Sequence, residues 1–298
     1  MSVAEKPLIN QYICKKPLKK HLSSATESMI TMLPNLFLVL CTIVTFFFYA
    51  AASTAEPLTQ QGPLHNHDKE WAFGIGLLGR YSPCYEGADS YEINGSPLFS
   101  ISWHDRFFLT SYRGLGAIVW KSDDCKLGLS IGSISGRDED DADHLRGLGD
   151  IDGGASANIF FERAIGNFTL DVHYEHQVTG EDTGFQAHAG LGYDLRISKK
   201  ITLQSTIKTT YASSDYMDTY FAVSPLQAVQ SGYPVYRADA GLKSIGFQLT
   251  TAYKLNRHWE LQARTGYDRL VGDAADSPMV KNANQYQLSA GLAYKFAH

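Results

Sequence analysis

Cysteine is scarce in this sequence, with four in 298 residues, and that excludes a fold held by a dense disulfide framework. Long apolar runs are scarcer still. Only Leu33 to Tyr49, "LPNLFLVLCTIVTFFFY", approaches the length of a membrane-crossing helix, and a mean hydropathy of −0.19 excludes a bundle of such helices. An excess of basic residues is also missing. Lys and Arg number 26 against 31 Asp and Glu, a net charge of −5, so no nucleic-acid partner is expected. What the chain does have is aromatic residues and glycine: 17 Tyr, 15 Phe, four Trp and 26 Gly.

The single apolar run has its own context. It follows a basic patch, "KKPLKK" (Lys15 to Lys20), and leads into small residues, "AAASTAEP". That order describes a secretory signal peptide, with Ser53 and Ala55 at the small positions of a cleavage site. Residues 1–55 are therefore read as a signal peptide with an upstream extension, translation starting at Met1, Met29 or Met32. A retained membrane anchor is the alternative. Residues 56–69 are read as a short periplasmic segment. Removing the first 55 residues takes away five Lys and two acidic residues, so the exported chain is more acidic than the whole. Cys84 and Cys125 remain, and an oxidising compartment would permit a disulfide between them.

From Glu70 onward one pattern recurs. Trp71, Phe73, Ile75 and Leu77 alternate with Ala72, Gly74, Gly76 and Leu78. Phe168, Leu170, Val172 and Tyr174 alternate with Thr169, Asp171, His173 and Glu175, and Trp259, Leu261, Ala263, Thr265 and Tyr267 with Glu260, Gln262, Arg264, Gly266 and Asp268. Period two is the mark of a strand with one apolar and one polar side. Aromatic residues tip both ends of the apolar side: Phe185 and Tyr193, Trp259 and Tyr267, Tyr286 and Tyr294. Eight tilted residues cover roughly the apolar band of a bilayer, and aromatic rings favour its two interfaces. The strands read as membrane crossings, and a sheet in lipid must close.

The expected fold is therefore all-β, a transmembrane antiparallel up-and-down β-barrel over residues 70–298. Eleven strands are clear. Short turns such as "AIGN", "ISKK" and "NRH" alternate with long connections near 135–149, 178–183, 212–246 and 269–284, the short ones periplasmic and the long ones extracellular. That alternation fails between Trp71 and Cys125 unless "RFFLTSYRGLGAIVWK" holds one more strand. Twelve strands is the resulting count, with ten as the alternative.

The end of the chain, "SAGLAYKF", carries Ser289, Gly291, Tyr294 and Phe296 in the polar-x-Gly-x-x-aromatic-x-aromatic order of the last strand of outer-membrane barrels. By that resemblance it is a signal to the barrel-assembly machinery, with Ala297 and His298 as extra residues beyond the aromatic.

Four ordered stretches carry a further resemblance. "SPCYEGADSYEINGSPLFS" includes Pro83, Tyr85, Gly87 and Tyr91. "LRGLGDIDGGA" includes Gly147, Gly149, Asp150 and Asp152. "YFAVSPLQAVQSGYPVYRADAGLKSIG" includes Ser231 and Gly232, and "GDAADSPMV" includes Gly272, Asp273, Ser277 and Pro278. In order and spacing they resemble the MipA/OmpV family, from about Trp71 to Phe296. The resemblance implies an outer-membrane barrel of a Gram-negative bacterium, in contact with membrane lipid and lipopolysaccharide. It also implies a non-enzymatic role, as a scaffold linking a lytic transglycosylase to a murein synthase. A narrow channel, or an adhesive or ligand-binding surface barrel, is the alternative, with Asp171, Glu175, Arg264 and Asp268 as lumenal charges.

Candidate chemistry is thin. Asp138, Glu139, Asp140, Asp141 and Asp143 could hold a cation, but the run lacks the ligand spacing of a calcium loop and reads better as a solvated surface loop. "LRGLGDIDGG" lacks the Lys-Ser/Thr of a phosphate loop. His173 and His176 fall on opposite faces of one strand and cannot share a metal without a bulge. Ser and His residues are present, but no spacing singles out a catalytic pair. No cofactor, metal or catalytic residue is expected. The loop around Pro225, Ser231, Gly232 and Pro234 is expected to fold into the barrel mouth.

Overall fold

A computed structural model describes residues 70–180 and 184–296. The expected signal peptide, the 56–69 segment, Ala297 and His298 lie outside the described residues.

The alternating stretches form twelve antiparallel strands that close into a barrel, each paired with its chain neighbours and β12 with β1. They are β1 (Trp71–Pro83), β2 (Tyr91–Trp103), β3 (Phe107–Thr110), β4 (Gly114–Lys121), β5 (Cys125–Ile134), β6 (Gly154–Ile165), β7 (Phe168–Gln177), β8 (Phe185–Arg196), β9 (Ile201–Ala212), β10 (Gly241–Lys254), β11 (Trp259–Leu270) and β12 (Asn284–Phe296). The strand that the turn parity demanded is there. "RFFLTSYRGLGAIVWK" folds into β3 and β4, and β3 is only four residues long.

The two faces separate as the alternation requires. Ile75, Leu77, Ile131, Leu191, Ile207 and Leu288 stand exposed on the outside, where lipid covers them. Ser100, Ser130, Asn158, Glu162, Thr169, Asp194, Thr206 and Glu260 are buried on the inside. Most such polar groups find hydrogen-bond partners inside a barrel. Lys208 pairs with Asp268 at 2.8 Å and Lys295 with Glu260 at 2.7 Å, while Asp194 accepts from Thr169 and Gln204. His173 meets Asn158 inside, whereas His176 stacks on Tyr174 outside, so the two histidines do face apart.

Rings gather at both rims. Trp71 stacks on Trp103, which stacks on Phe107, and Trp259 meets Tyr294 edge-on at the short-turn end. Tyr81 stacks on Tyr91, and Tyr267 lies against Tyr286, at the other. The three-residue β2–β3 turn is tight because His104 and Asp105 both adopt positive φ, 50° and 51°, and the Arg106 N–H donates back to the Trp103 carbonyl at 3.0 Å. Cys125 is a buried free thiol. The pairing of Cys84 with Cys125 that an oxidising compartment would permit is therefore not made. Cys125 lies at the start of β5 by the short turns, and Cys84 in the β1–β2 loop at the opposite end of the barrel.

Candidate functional site: the loop cap and the barrel mouth

Three short helices lie in the long loops: α1 (Ser214–Phe221) and α2 (Pro225–Ser231) between β9 and β10, and α3 (Gly272–Asp276) between β11 and β12. Local sequence explains the first two. Ser213 caps α1 by accepting from the Tyr216 N–H. Ser224 and Gln227 form a reciprocal capping box on α2, Pro225 occupies its first turn, and Gly232 ends it at φ 78°. The Ser-Pro-x-Gln signature of this helix start stands in the sequence.

The helices hold two apolar clusters across the mouth. In one, Tyr216, Met217, Tyr220 and Phe221 of α1 pack on Ala212, Leu270 and Ala274, and on Ile151 from the β5–β6 loop. In the other, Tyr85 and Ala88 of the β1–β2 loop meet Leu145, Leu148, Val223 and Met279. Both clusters join loops from distant strands, so they bridge the mouth. The connection around Pro225 does fold toward the mouth, but the helix that is buried there is α1.

Polar contacts tie the four family-like stretches together. Tyr85 donates its hydroxyl to the Met279 carbonyl at 3.1 Å, and the Lys281 and Asn282 N–H groups donate to the Gly87 carbonyl. Ser277 donates to the Phe221 carbonyl at 2.6 Å, and the Asp239 N–H to the Asp273 carboxylate at 2.8 Å. Gln227 donates to the Leu148 carbonyl at 2.6 Å. Gly147 has φ 82°, and a β-carbon there would lie 2.6 Å from the Gln230 carbonyl carbon, so only glycine lets this loop approach α2. Gly149 and Asp150 join the same loop through Glu139, and Asp152 offers its carbonyl to Gln177. Ser231 donates to the Gln227 carbonyl, Pro278 accepts from Lys281, and Gly272 opens α3 at φ 56°. Pro83 ends β1, and Tyr91 on β2 accepts from the Tyr286 N–H.

The acidic run serves the same loop. Glu139 accepts from the Gly147 and Gly149 N–H groups, Asp141 from Asp138, and Asp143 pairs with Arg146. No group of His, Cys, Asp and Glu suited to a metal ion occurs among the described residues.

A latch joins the cap to the barrel wall. The register between β9 and β10 shifts between Leu242 and Ser244, and such a bulge re-aims a side chain. Lys243 is turned inward, 5% exposed. Its ammonium lies 2.6 Å from Glu86 and 2.5 Å from Gln186, and sits over the Tyr216 ring. The Tyr216 hydroxyl donates to Glu86 at 3.1 Å. Burial, with the Glu86 charge beside it, holds this phenol well above its ordinary value. Tyr85 is raised too, again chiefly by burial, and burial lowers Arg137, whose guanidinium donates to the Tyr220 carbonyl.

The assembly-signal residues lie on the closing seam. Ser289 and Gly291 face the lumen, and Tyr294 and Phe296 pair across from Ile75 and Phe73 of β1.

The decisive comparison is with the family model described as MltA-interacting protein MipA, which matches residues 75–296. The chain belongs to this family. Among similar MipA-family and related proteins is the outer membrane protein OmpV of Vibrio cholerae, 27% identical over 82% of this chain and 94% of its own. Omp26La of Vibrio anguillarum is 25% identical over 81% and 93%. The putative outer membrane protein YiaT of Escherichia coli K12 is 24% identical over 76% and 91%. Among solved structures, the NanC porin superposes with a TM-score of 0.42 at 9% identity, over 74% of this chain and all of that one. An outer membrane channel from Pseudomonas putida F1 gives 0.38 at 14% identity, over 78% of this chain and all of that one. This MipA-family chain is an outer-membrane β-barrel.

Proposed function

We propose that this barrel is a non-enzymatic interaction protein that holds cell-wall enzymes, a lytic transglycosylase and a murein synthase, at its periplasmic rim. The family's description as MltA-interacting supports the reading. The observation that carries it is the charge of that rim. Its turns are too short to offer a large apolar surface, so docking there must lean on charge. Arg196, Lys199 and Lys200 at the β8–β9 turn, and Lys254 and Arg257 at the β10–β11 turn, are all exposed. None has a carboxylate partner among the described residues. The Lys254 N–H donates to the Lys200 carbonyl at 2.8 Å, which joins the two turns into one basic arc. Such an arc favours an acidic partner surface and speeds its encounter.

The test is co-purification of murein hydrolases and synthases with the full chain from outer membranes. Replacing Lys199, Lys200, Lys254 and Arg257 by Glu should reduce recovery roughly ten-fold, about 1.4 kcal/mol, with the barrel still folded. Recovery unchanged by the four reversals would refute the rim as the docking surface.

A further inference from the structure

The stretch "INGSPLFS" holds a proline and a glycine inside a strand. Pro97 lacks an N–H, and such residues belong on strand edges. β2 pairs with β1 from Trp103 up to Tyr91, but with β3 only from Trp103 to Ser100. The Ser111 N–H, donating to the Phe99 carbonyl, is the last bond on that side. Even-numbered neighbours such as His104 bond toward β1, so Pro97, Gly95 and Ile93 present their backbone to the vacated side. Gly95 faces the lipid side, with nothing within 4 Å of where its β-carbon would stand. Among the described residues no strand covers this edge.

The other flank is open as well. β4 begins at Gly114, and its last partner on β5 is Ile131, while β5 runs on to Ile134. Two strands are thus missing from the wall between β2 and β5. The Arg113 carbonyl still reaches Gly132, so the opening is about 14 Å between backbones and about 7 Å along β5, over Ser133 and Ile134, by ordinary strand spacing and rise. Above, the β1–β2 and β5–β6 loops meet through Tyr85, Ala88, Leu145 and Leu148. Below, the β3–β4 turn is drawn inward. Arg113 is ion-paired with Glu162 and lies 4.0 Å over the Phe160 ring, and Tyr112 lies 6.0 Å from the guanidinium of lumen-facing Arg264. The result is a framed window. It lies below the Tyr81–Tyr91 ring pair, in the outer half of the membrane.

An unpaired strand edge is costly in hydrocarbon and is tolerated where it borders a wet cavity. Behind this edge the lining of the lumen changes character. Leu78, Leu98, Phe108 and Phe160 face inward in an otherwise polar interior, with Phe108 and Phe160 5.9 Å apart and a Gly291 β-carbon position 3.0–3.2 Å from Leu78 and Leu98. Outside, an apolar groove lined by Leu77, Gly79, Leu261 and Ala290 runs to Gly95 and Pro97 on the window's edge.

We propose that this window is a lateral port through which a single-chain amphiphile passes between the outer leaflet and the lumen, its chain against Leu98 and Phe108. The spacing between backbones exceeds the width of one acyl chain, and the cap bridges the direct route from above. The port does not depend on the rim docking proposed earlier.

The full chain, carrying Cys125→Ser, is reconstituted in liposomes with N-dodecylmaleimide dissolved in the bilayer, and labelling is read at the substituted residue by peptide mass. Leu98→Cys should label at least ten-fold faster than Gln248→Cys, which faces the lumen on the far wall and is half-buried like Leu98. Lengthening the β3–β4 hairpin by two residues on each strand, with Pro97→Thr to restore a donor, should slow Leu98→Cys at least ten-fold. Gly95→Trp, which adds a ring at the window's edge and leaves the pairing intact, should slow it in the same direction if the longer hairpin fails to give heat-modifiable protein. Equal rates at Leu98→Cys and Gln248→Cys would overturn the port. So would a Leu98→Cys rate untouched by a folded closing variant.

Discussion

Lys243 shows how one residue ties the cap to the barrel. It sits on a strand, but the bulge beside it sends its ammonium into the mouth, where Glu86, Gln186 and Tyr216 receive it. The pair is asymmetric: the lysine side chain is 5% exposed and the glutamate 31%. Removing the more hydrated partner therefore leaves the more costly orphan. Glu86→Ala should weaken the cap by about 2 kcal/mol, because it strands a buried ammonium. Lys243→Met, which removes the charge and keeps the stem, should weaken it less. The rate of protease nicking between α1 and α2 in vesicle-bound protein orders the two, and wild-type rates in both would show that the latch contributes nothing.

At the scale of the element, the last strand explains itself through its partners. Tyr294 touches His258, Trp259 and Phe296, with ring centroids 5.0–5.4 Å apart. Phe296 pairs across from Phe73 at the seam. Replacing both rings by alanine removes on the order of 150–250 Å² of buried ring surface per residue and loosens the strand that closes the barrel. Heat-modifiable protein in outer-membrane fractions should fall roughly ten-fold, about 1.4 kcal/mol. Deleting residues 297 and 298 alone should leave it unchanged. A double-alanine chain that fractionates normally would remove the assembly signal from the account. The β3–β4 hairpin is the opposite case, an element defined by where its pairing stops. Pro97 and Gly95 mark that stop in the sequence, but their meaning depends on a neighbour strand ten residues away.

For the whole molecule, the barrel and its cap rest on different forces. Inter-strand backbone bonds hold the wall, while two small apolar clusters and the Glu86–Lys243–Tyr216 latch hold the mouth. That division predicts a pH response confined to the mouth. Tyr216 is neutral in the closed cap, its pKa raised mainly by burial from an ordinary value of 10.0. A raised folded value means that the stabilisation is complete below that ordinary value and is lost as pH climbs from there toward the folded value. Protease access to the segment between α1 and α2 should therefore rise between roughly pH 10 and 11.5, with the barrel still heat-modifiable. Tyr216→Phe should flatten the rise. A wild-type profile flat to pH 11.5 would show that the phenol is not part of the latch.

The sequence by itself determined the wall. Membrane strands must alternate with period two, carry rings at both interfaces and close without an edge, and each demand leaves a mark on a local stretch such as Trp259–Tyr267. Even the short hairpin was legible by parity, since an up-and-down barrel cannot lose one strand without inverting every later turn. The lumenal placement of Asp171, Glu175, Arg264 and Asp268 followed from the same alternation. The cap was legible only as four familiar stretches. Its chemistry is made by long-range meetings, Tyr85 with Met279, Glu139 with Gly147 and Gly149, Glu86 with Lys243, and no local period records which loops will meet. The latch adds a further obstacle, because the β10 bulge moves Lys243 from its expected face, and a one-residue irregularity leaves no trace in the alternation. The window is decided in the same way. Tertiary pairing alone shows that β2 continues where β3 has already turned, and that difference in strand length opens the wall.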